Sequence, residues 1–380
     1  MLAPMVFLFI LPFSGTVALR LMCLFIAFLT AVYCWRRLHV PPIPCKAAIA
    51  LWAAIAATSL LYAVDRPYTL GEIKNEVGYA MLTFFALFAL TVDEDRLRLV
   101  WVALSAAFVV IGANALATYF SSGAWPPQAW FGGSPGTTNY LVTAGPVVAL
   151  GAWLWLPRHF PWVLAAIGLL VGTLGVLSEQ RAIWPALGVQ ALLAGWWMWR
   201  SGNIPRRGWR LLVITVLLTA VPAGGLLATE YLRTGGDVDS PASMQHDQRL
   251  EVWRAVVQRV AETPLTGAGL GRRALWKAHR DLIPPENPLF WHSHNMVLNW
   301  GLSAGIPGML AILLLFAAIG WQFWRLATAG DARLHAIGLA GSLMVVGLFT
   351  RNMFNDFFVR DGALLFWALT GALLGYARRV

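Results

Sequence analysis

The tetrapeptide His292-Ser293-His294-Asn295 closes the longest polar stretch of an otherwise apolar chain, and its side chains suit three kinds of chemistry. Ser293 or Asn295 can cap a following helix. The imidazoles of His-x-His can offer two ligands to a metal, although no Cys and no Asp/Glu/His cluster of recognisable spacing completes such a site. A histidine that titrates near neutrality is also a natural general base or acid. Two arginines point to anions. Arg181 lies in Ser178-Glu179-Gln180-Arg181-Ala182, a very short connection between two apolar runs. A cation held that close to lipid needs a negative partner, either Glu179 or a bound anion. Arg249 lies near the start of a segment, 246 to 262, with helical periodicity: Leu250, Trp253, Val256, Val257 and Val260 form one stripe and Glu251, Arg254, Gln258 and Glu262 another. This is expected to be an amphipathic helix lying on the membrane or on the tops of the spans, with Asp247 favourable in its first turn. Arg249 then projects from the start of the apolar face, as a snorkelling side chain or as an anion ligand.

The elements that must position these residues follow from composition. Hydrophobic residues make up 58% of the 380, charged residues 12%, and the mean hydropathy is +0.64, which describes a polytopic membrane protein rather than a soluble domain. A span needs about 20 apolar residues. On that ruler twelve are expected, near 1–14, 17–35, 46–64, 74–92, 97–119, 138–156, 160–177, 182–199, 209–231, 302–324, 334–350 and 361–377. Alternate connections carry 14 Lys and Arg on one side and, leaving out the long polar segment, 5 on the other. The positive-inside rule puts both termini in the cytoplasm and groups the polar segment with the loops around Arg66, Arg181 and Asp356 on the outer face. The resulting division is 1–232 (nine spans), 233–293 (large outer loop) and 294–380 (three spans), one membrane domain in all.

Several classes are excluded. The net charge of +10 is largely this topology signal, and the long segment is nearly balanced, with eight Lys/Arg against seven Asp/Glu between Arg233 and Trp291. No basic soluble module exists to bind nucleic acid. Cys23, Cys34 and Cys45 lie in the second span or the cytoplasmic loop after it, away from an oxidising compartment, so no disulfide is expected. Met1 to Phe13 lacks the basic start and small-residue cleavage site of a signal peptide and reads as the first span. Acidic residues cluster at span ends and in loops, and no internal repeat is evident, which weighs against a transporter. The glycine-rich Pro264-Leu265-Thr266-Gly267-Ala268-Gly269-Leu270-Gly271 follows no strand and is not a dinucleotide fingerprint. It is a plain turn or one whose backbone approaches a ligand or helix closely.

Taken in order, Arg249-Leu250-Glu251-Val252-Trp253, the glycine turn, His292-Ser293-His294-Asn295-Met296-Val297-Leu298 and Gly305-Ile306-Pro307-Gly308 resemble the Wzy_C superfamily. That superfamily holds the O-antigen ligases, the O-antigen polymerases and the bacterial protein O-oligosaccharyltransferases. The motifs span residues 178 to 310, and chain length matches the ligase branch. The resemblance implies an all-α GT-C-type glycosyltransferase of the Gram-negative inner membrane, working on its periplasmic face with no cofactor and no metal. The implied donor is an undecaprenyl-diphosphate-linked O-antigen and the implied acceptor a sugar hydroxyl of lipid A-core, both reached through membrane lipid.

Under that resemblance Arg181 and Arg249 bind the donor diphosphate, because a guanidinium fork suits phosphate. His294 is the base and His292 is secondary. Asp356, in Arg351-Asn352-Met353-Phe354-Asn355-Asp356, either orients His294 or caps and pairs with Arg351 or Arg360. Lys74 and Arg66 add positive charge to the same face or pair with Asp65, Glu72 or Glu76. Arg272 and Arg273 contact the glycan or acceptor phosphates, or are simply solvated. The rivals are a polymerase or protein-glycosylating member of the superfamily and, outside it, a transporter of polysaccharide or lipid-linked sugar.

Overall fold

Helix starts are set by short polar side chains placed between apolar runs. Asp65 accepts from the Tyr68 N–H (3.0 Å), Asp93 from Arg96 (2.8 Å), Asp331 from Arg333 (2.9 Å) and Leu334 (2.8 Å), and Asn295 from Leu298 (3.0 Å). Each satisfies a donor that the first helical turn leaves open. The computed structural model describes residues 1–123, 125, 133–200, 208–237, 239–240, 243, 247–283 and 291–380. Among these every regular element is helical. The helices are α1 (Leu2–Ile10), α2 (Val17–Tyr33), α3 (Lys46–Thr58), α4 (Arg66–Glu72) and α5 (Tyr79–Leu90), the last two joined by the π-helical Ile73–Gly78. Then come α6 (Glu94–Ser122), α7 (Gly133–Trp155), α8 (Phe160–Leu177), α9 (Ile183–Arg200), α10 (Gly208–Thr234), α11 (Arg249–Glu262), α12 (Ala274–Ala278), α13 (Met296–Ala327), α14 (Ala332–Asn352) and α15 (Arg360–Ala377).

Among the described residues five stretches are long and apolar enough to cross a membrane: Arg66–Leu90, Glu94–Ser122, Phe160–Leu177, Met296–Ala327 and Ala332–Asn352. Val17–Tyr33 and Lys46–Leu61 are shorter apolar helices. The first of the expected spans is the nine-residue α1, about 14 Å long. Its Phe7 and Leu8 are buried inside the protein, against α2 and α6. The centre is α15, buried at every residue from Ala363 to Ala377. Gly371 and Gly375 let it lie directly on α5, where a Cβ would come within 2.5 Å of the Phe84 carbonyl and 2.4 Å of the Phe88 carbonyl.

The connections segregate. Arg333–Glu94, Arg378–Gln322 and the Arg379 bonds to the Leu38, Phe88 and Ala89 carbonyls gather at one end of the bundle. At the other end meet Arg181–Asp247, Val64–Ala268, Asn295–Met353, and Arg20 with both the Leu11 carbonyl and Asp361. The loops grouped together from the sequence therefore do touch.

One helix is broken where the site needs it. In α13, Ala304 and Gly305 leave helical geometry, Gly305 with φ +65°, and the freed carbonyls of Leu302 and Ser303 accept from the N–H groups of Ala268 (2.8 Å) and Gly269 (3.1 Å). The Ile306 N–H returns a bond to the Pro264 carbonyl (2.8 Å). The glycine turn is thus built to approach a helix, and a Cβ at Gly267 would meet the Leu302 oxygen at 2.5 Å.

Candidate active site

The strap before α13 is fixed from three sides. The Trp253 indole N–H of α11 donates to the Ser293 carbonyl (2.8 Å), the Ser293 hydroxyl donates to the Asn295 carbonyl (2.8 Å), and the Asn295 side-chain amide donates to the Met353 carbonyl (3.0 Å). His294 adopts φ +52°, a left-handed conformation that an L side chain seldom takes and that a strongly tethered chain can impose. Its half-buried ring stacks on that of His292, with centroids 3.9 Å apart and an interplanar angle of 29°.

His292 is buried and faces a donor at each nitrogen. The His294 backbone N–H donates to Nδ1 (3.0 Å), and Arg272 Nη2 lies 3.1 Å from Nε2. A neutral ring can accept at one nitrogen only, here Nδ1, whereas a protonated ring would set N–H against N–H on both sides. Burial first, then the charges of His294, Arg272 and Arg249, hold its pKa well below the usual histidine range. His292 is therefore uncharged near neutrality, and neither nitrogen offers a lone pair outward. His294 is the ring left to exchange protons.

Arg272 is not the solvated cation expected from its place after the glycine turn. Its guanidinium sits 4.4 Å from the Phe357 ring centroid and 4.8 Å from that of Trp291. Burial lowers its pKa, opposed by the charges of Asp356 and Glu76. Asp356 is 2% exposed, and burial pushes its carboxyl up to about 6 against the pull of Arg272. Among the described residues Asp356 forms no ion pair with Arg351 or Arg360, the partners considered from sequence, and the cation whose charge acts on it is Arg272. Arg272 Nε, Asp356 Oδ2 and Glu76 Oε1 have no hydrogen-bond partner among the described residues, and with Trp52 and Asn299 they line a cavity of about 20 Å³. That is room for one water. On its other flank Arg272 reaches a cavity of about 330 Å³ shared with Asn139, Tyr140, Phe357, Arg360 and Asp361.

Arg181 and Arg249 meet across Asp247. Arg181 Nη2 is 3.0 Å from Asp247 Oδ2 and Nη1 is 3.5 Å from Glu230 Oε2, while Arg249 Nε is 3.7 Å from Asp247 Oδ1. Glu179, the expected partner, turns away at φ +53°, and its carbonyl accepts from Arg233 (3.4 Å). Asp247 lies just before α11, where its carboxylate also accepts the Arg249 N–H (3.0 Å). Burial lowers the Arg249 pKa, and so do the charges of Arg181 and Arg233, against Asp247. Trp253, which holds the histidine strap, is one turn further along the same helix, about 6 Å away. One helix thus carries both Arg249 and the anchor of the strap that bears His294.

The buried face of α11 is Val252, Val256 and Val260, rotated from the expected stripe. Leu250 and Val257 are instead more than half exposed. With Trp253, Val297, Leu298, Leu313 and Met353 they line an apolar groove of about 680 Å³ between α11 and α13. Arg66 and Lys74 stand outside these groups. Arg66 lines a separate cleft with Asp65, Arg273, Lys277 and Arg280, and Lys74 lies 6.0 Å from the Tyr79 ring centroid. Asp65 pairs with Lys277 (2.5 Å) rather than with either. Among the described residues no group of three or more His, Cys, Asp or Glu could share a metal ion.

Residues 166–313 match the O-antigen ligase family model, Wzy_C. This is the family that the sequence motifs resemble. The matched stretch contains Arg181, Arg249, Arg272, His292 and His294, together with the glycine turn and the break in α13. Asp356, Arg351 and Glu76 lie outside it. No curated protein matches the chain. From the sequence Glu76, inside an expected span, and Arg351 stand only as pairing partners of other residues.

Proposed function

We propose that the protein is an O-antigen ligase, an inverting glycosyltransferase that moves a polysaccharide from undecaprenyl diphosphate to a sugar hydroxyl of lipid A-core at the periplasmic face of the inner membrane. The observation that carries this is the coupling, through α11, of a half-buried arginine pair to the histidine strap, inside the stretch that matches the O-antigen ligase family. The twelve-span arrangement with cytoplasmic termini belongs to the same reading, supported by the separation of the basic connections from the site-bearing ones.

In the reaction the acceptor oxygen attacks the anomeric carbon opposite the departing diphosphate, and its proton passes to His294. The bond from the anomeric carbon to the phosphate oxygen breaks, with the electron pair staying on the diphosphate. Arg181 and Arg249 stabilise that charge, the function a divalent ion serves in other transferases. His292, uncharged and bonded at Nδ1 to the His294 backbone, sets the neighbouring ring by stacking. The open apolar groove between α11 and α13 gives the polyprenyl chain a place beside Arg249.

The test is transfer in detergent from purified lipid-linked donor to lipid A-core, with and without chelator. Ligated product with chelator present, and a loss of roughly 100-fold or more in His294→Ala, support the proposal. Longer lipid-linked glycan without linkage to lipid A would make the protein a polymerase. Undiminished transfer in His294→Ala would remove the base.

A further inference from the structure

Arg351, in the last turn of α14, is fully buried. Its Nη2 donates to Thr138 Oγ1 (3.1 Å), and its guanidinium lies 6.0 Å from the Phe357 ring centroid. Nε and Nη1 have no hydrogen-bond partner among the described residues, and no described carboxylate pairs with it. A guanidinium does not lose its proton at any working pH, so burial without a counter-charge leaves a cation fully uncompensated. Asn352 keeps the side chain from swinging out. It donates to Asn139 Oδ1 (3.3 Å) and the Leu348 carbonyl (2.8 Å) and accepts from the Phe357 N–H (2.6 Å), which locks the end of α14.

The neighbours indicate which anion would complete it. Thr138 donates to the Ser134 carbonyl (3.0 Å), and the Ser134 hydroxyl accepts from Gln180, the residue before Arg181 (3.1 Å). Towards the histidine strap, Met353 accepts from Asn295, and Phe354 packs against Trp253 with ring centroids 6.4 Å apart. Arg351 therefore sits between the connection bearing Arg181 and the strap bearing His294. Arg181 and Arg249 are already partly neutralised by Asp247 and Glu230, whereas Arg351 has no acid beside it.

We propose that Arg351 is a third guanidinium of the Arg181–Arg249 anion site, its two unused N–H faces binding phosphate oxygens of a polyprenyl diphosphate. This rests on the donor-diphosphate reading above. Arg351 supplies the uncompensated positive charge of the site, and the ligand supplies the missing counter-ion to a cation the fold has buried in advance.

The experiment is thermal unfolding of the purified full chain in detergent, with and without undecaprenyl diphosphate and without divalent metal. It compares wild type with Arg351→Met and Arg351→Lys. The ligand is expected to raise the wild-type melting temperature. Arg351→Met without ligand should melt at or above the wild-type temperature, because an unpaired buried charge is gone, and its ligand-induced rise should fall by at least half. A lysine in that burial can shed its proton, so Arg351→Lys should bind at pH 6 and lose binding by pH 9, a change the wild type does not show. A full ligand-induced rise in Arg351→Met overturns the assignment of Arg351 alone. So does an Arg351→Lys profile identical to that of wild type, which decides the matter even if the Met variant fails to fold. No rise in the wild type would instead overturn the donor-diphosphate reading and this assignment with it.

Discussion

Arg181 and Arg249 share one counter-ion: the two oxygens of Asp247 lie 3.0 Å from Arg181 Nη2 and 3.7 Å from Arg249 Nε. On the proposed donor-diphosphate reading, this carboxylate stands where a phosphate oxygen would bind, so the protein itself supplies a counter-charge to the two guanidiniums. Ligand entry must displace the carboxylate or share the guanidinium faces it leaves open. The arginines are thereby held in place before the ligand arrives.

Asp247→Asn should tighten anion binding while weakening the unliganded protein. Removing the competing charge is expected to lower the dissociation constant for undecaprenyl diphosphate about tenfold, equivalent to 1.4 kcal/mol. Loss of a partly buried pair should cost on the order of 1–3 kcal/mol of stability without ligand. Thermal melts across a ligand titration report both. Unchanged affinity would show that Asp247 does not compete with the ligand.

Trp253→Phe removes one hydrogen bond, that to the Ser293 carbonyl, and keeps most of the ring's packing on Phe354. The expected stability loss is about 1 kcal/mol. The turnover number should fall about tenfold or more, because the strap then no longer holds His294 in its left-handed conformation. Donor affinity, measured separately by ligand-induced melting, should be unchanged. A fall in affinity with turnover preserved would mean that the indole serves Arg249 rather than the histidine.

What the sequence made legible was local. A cap at Ser293 or Asn295, and a helix over 246 to 262, follow from residue types and spacing. What it concealed depends on distant contacts. Glu179 adjoins Arg181 in the chain, but the backbone turns it away and Asp247 arrives from another segment. Leu250 and Val257 fit an apolar stripe, yet the groove beside α13 leaves them open, since a stripe 100° wide does not say which edge is covered. Arg351 looked like one more outer-loop cation. A signal was present in the sequence: Gly347, Leu348, Phe354 and Asn355, at three and four residues on either side, include no acid to pair with it.

Gly267→Ala should separate the glycine turn from the break in α13. The added Cβ meets backbone atoms of Leu302 and Ser303, both at 2.5 Å, and backbone cannot rotate aside as a side chain can. Overpacking of this kind costs roughly 1–3 kcal/mol. The bonds from Ala268 and Gly269 to the Leu302 and Ser303 carbonyls should be the first to open, visible as faster amide exchange in residues 264–271. Retained protection there would show that the turn can shift as a unit.

Asp356 makes stability depend on pH in a direction opposite to most carboxylates. Its folded pKa is raised from 3.8 to about 6, so between those values the folded protein holds a proton that the unfolded chain has lost. The contribution is fully present below about pH 4 and disappears as pH rises through 6. At 1.36 kcal/mol per unit, the buried charge costs on the order of 3 kcal/mol at neutral pH. His292, held well below 6.5, acts in the opposite sense: its contribution is present above 6.5 and is lost as the pH falls towards its folded value. Asp356→Asn should therefore melt higher than wild type at pH 7.5, and the advantage should shrink steadily to nothing by about pH 4. Melting curves at half-unit steps in one detergent measure this difference, which cancels the His292 term common to both proteins. An advantage that stays constant with pH would show that burial does not hold the carboxyl in its raised state, and that the asparagine acts through packing alone.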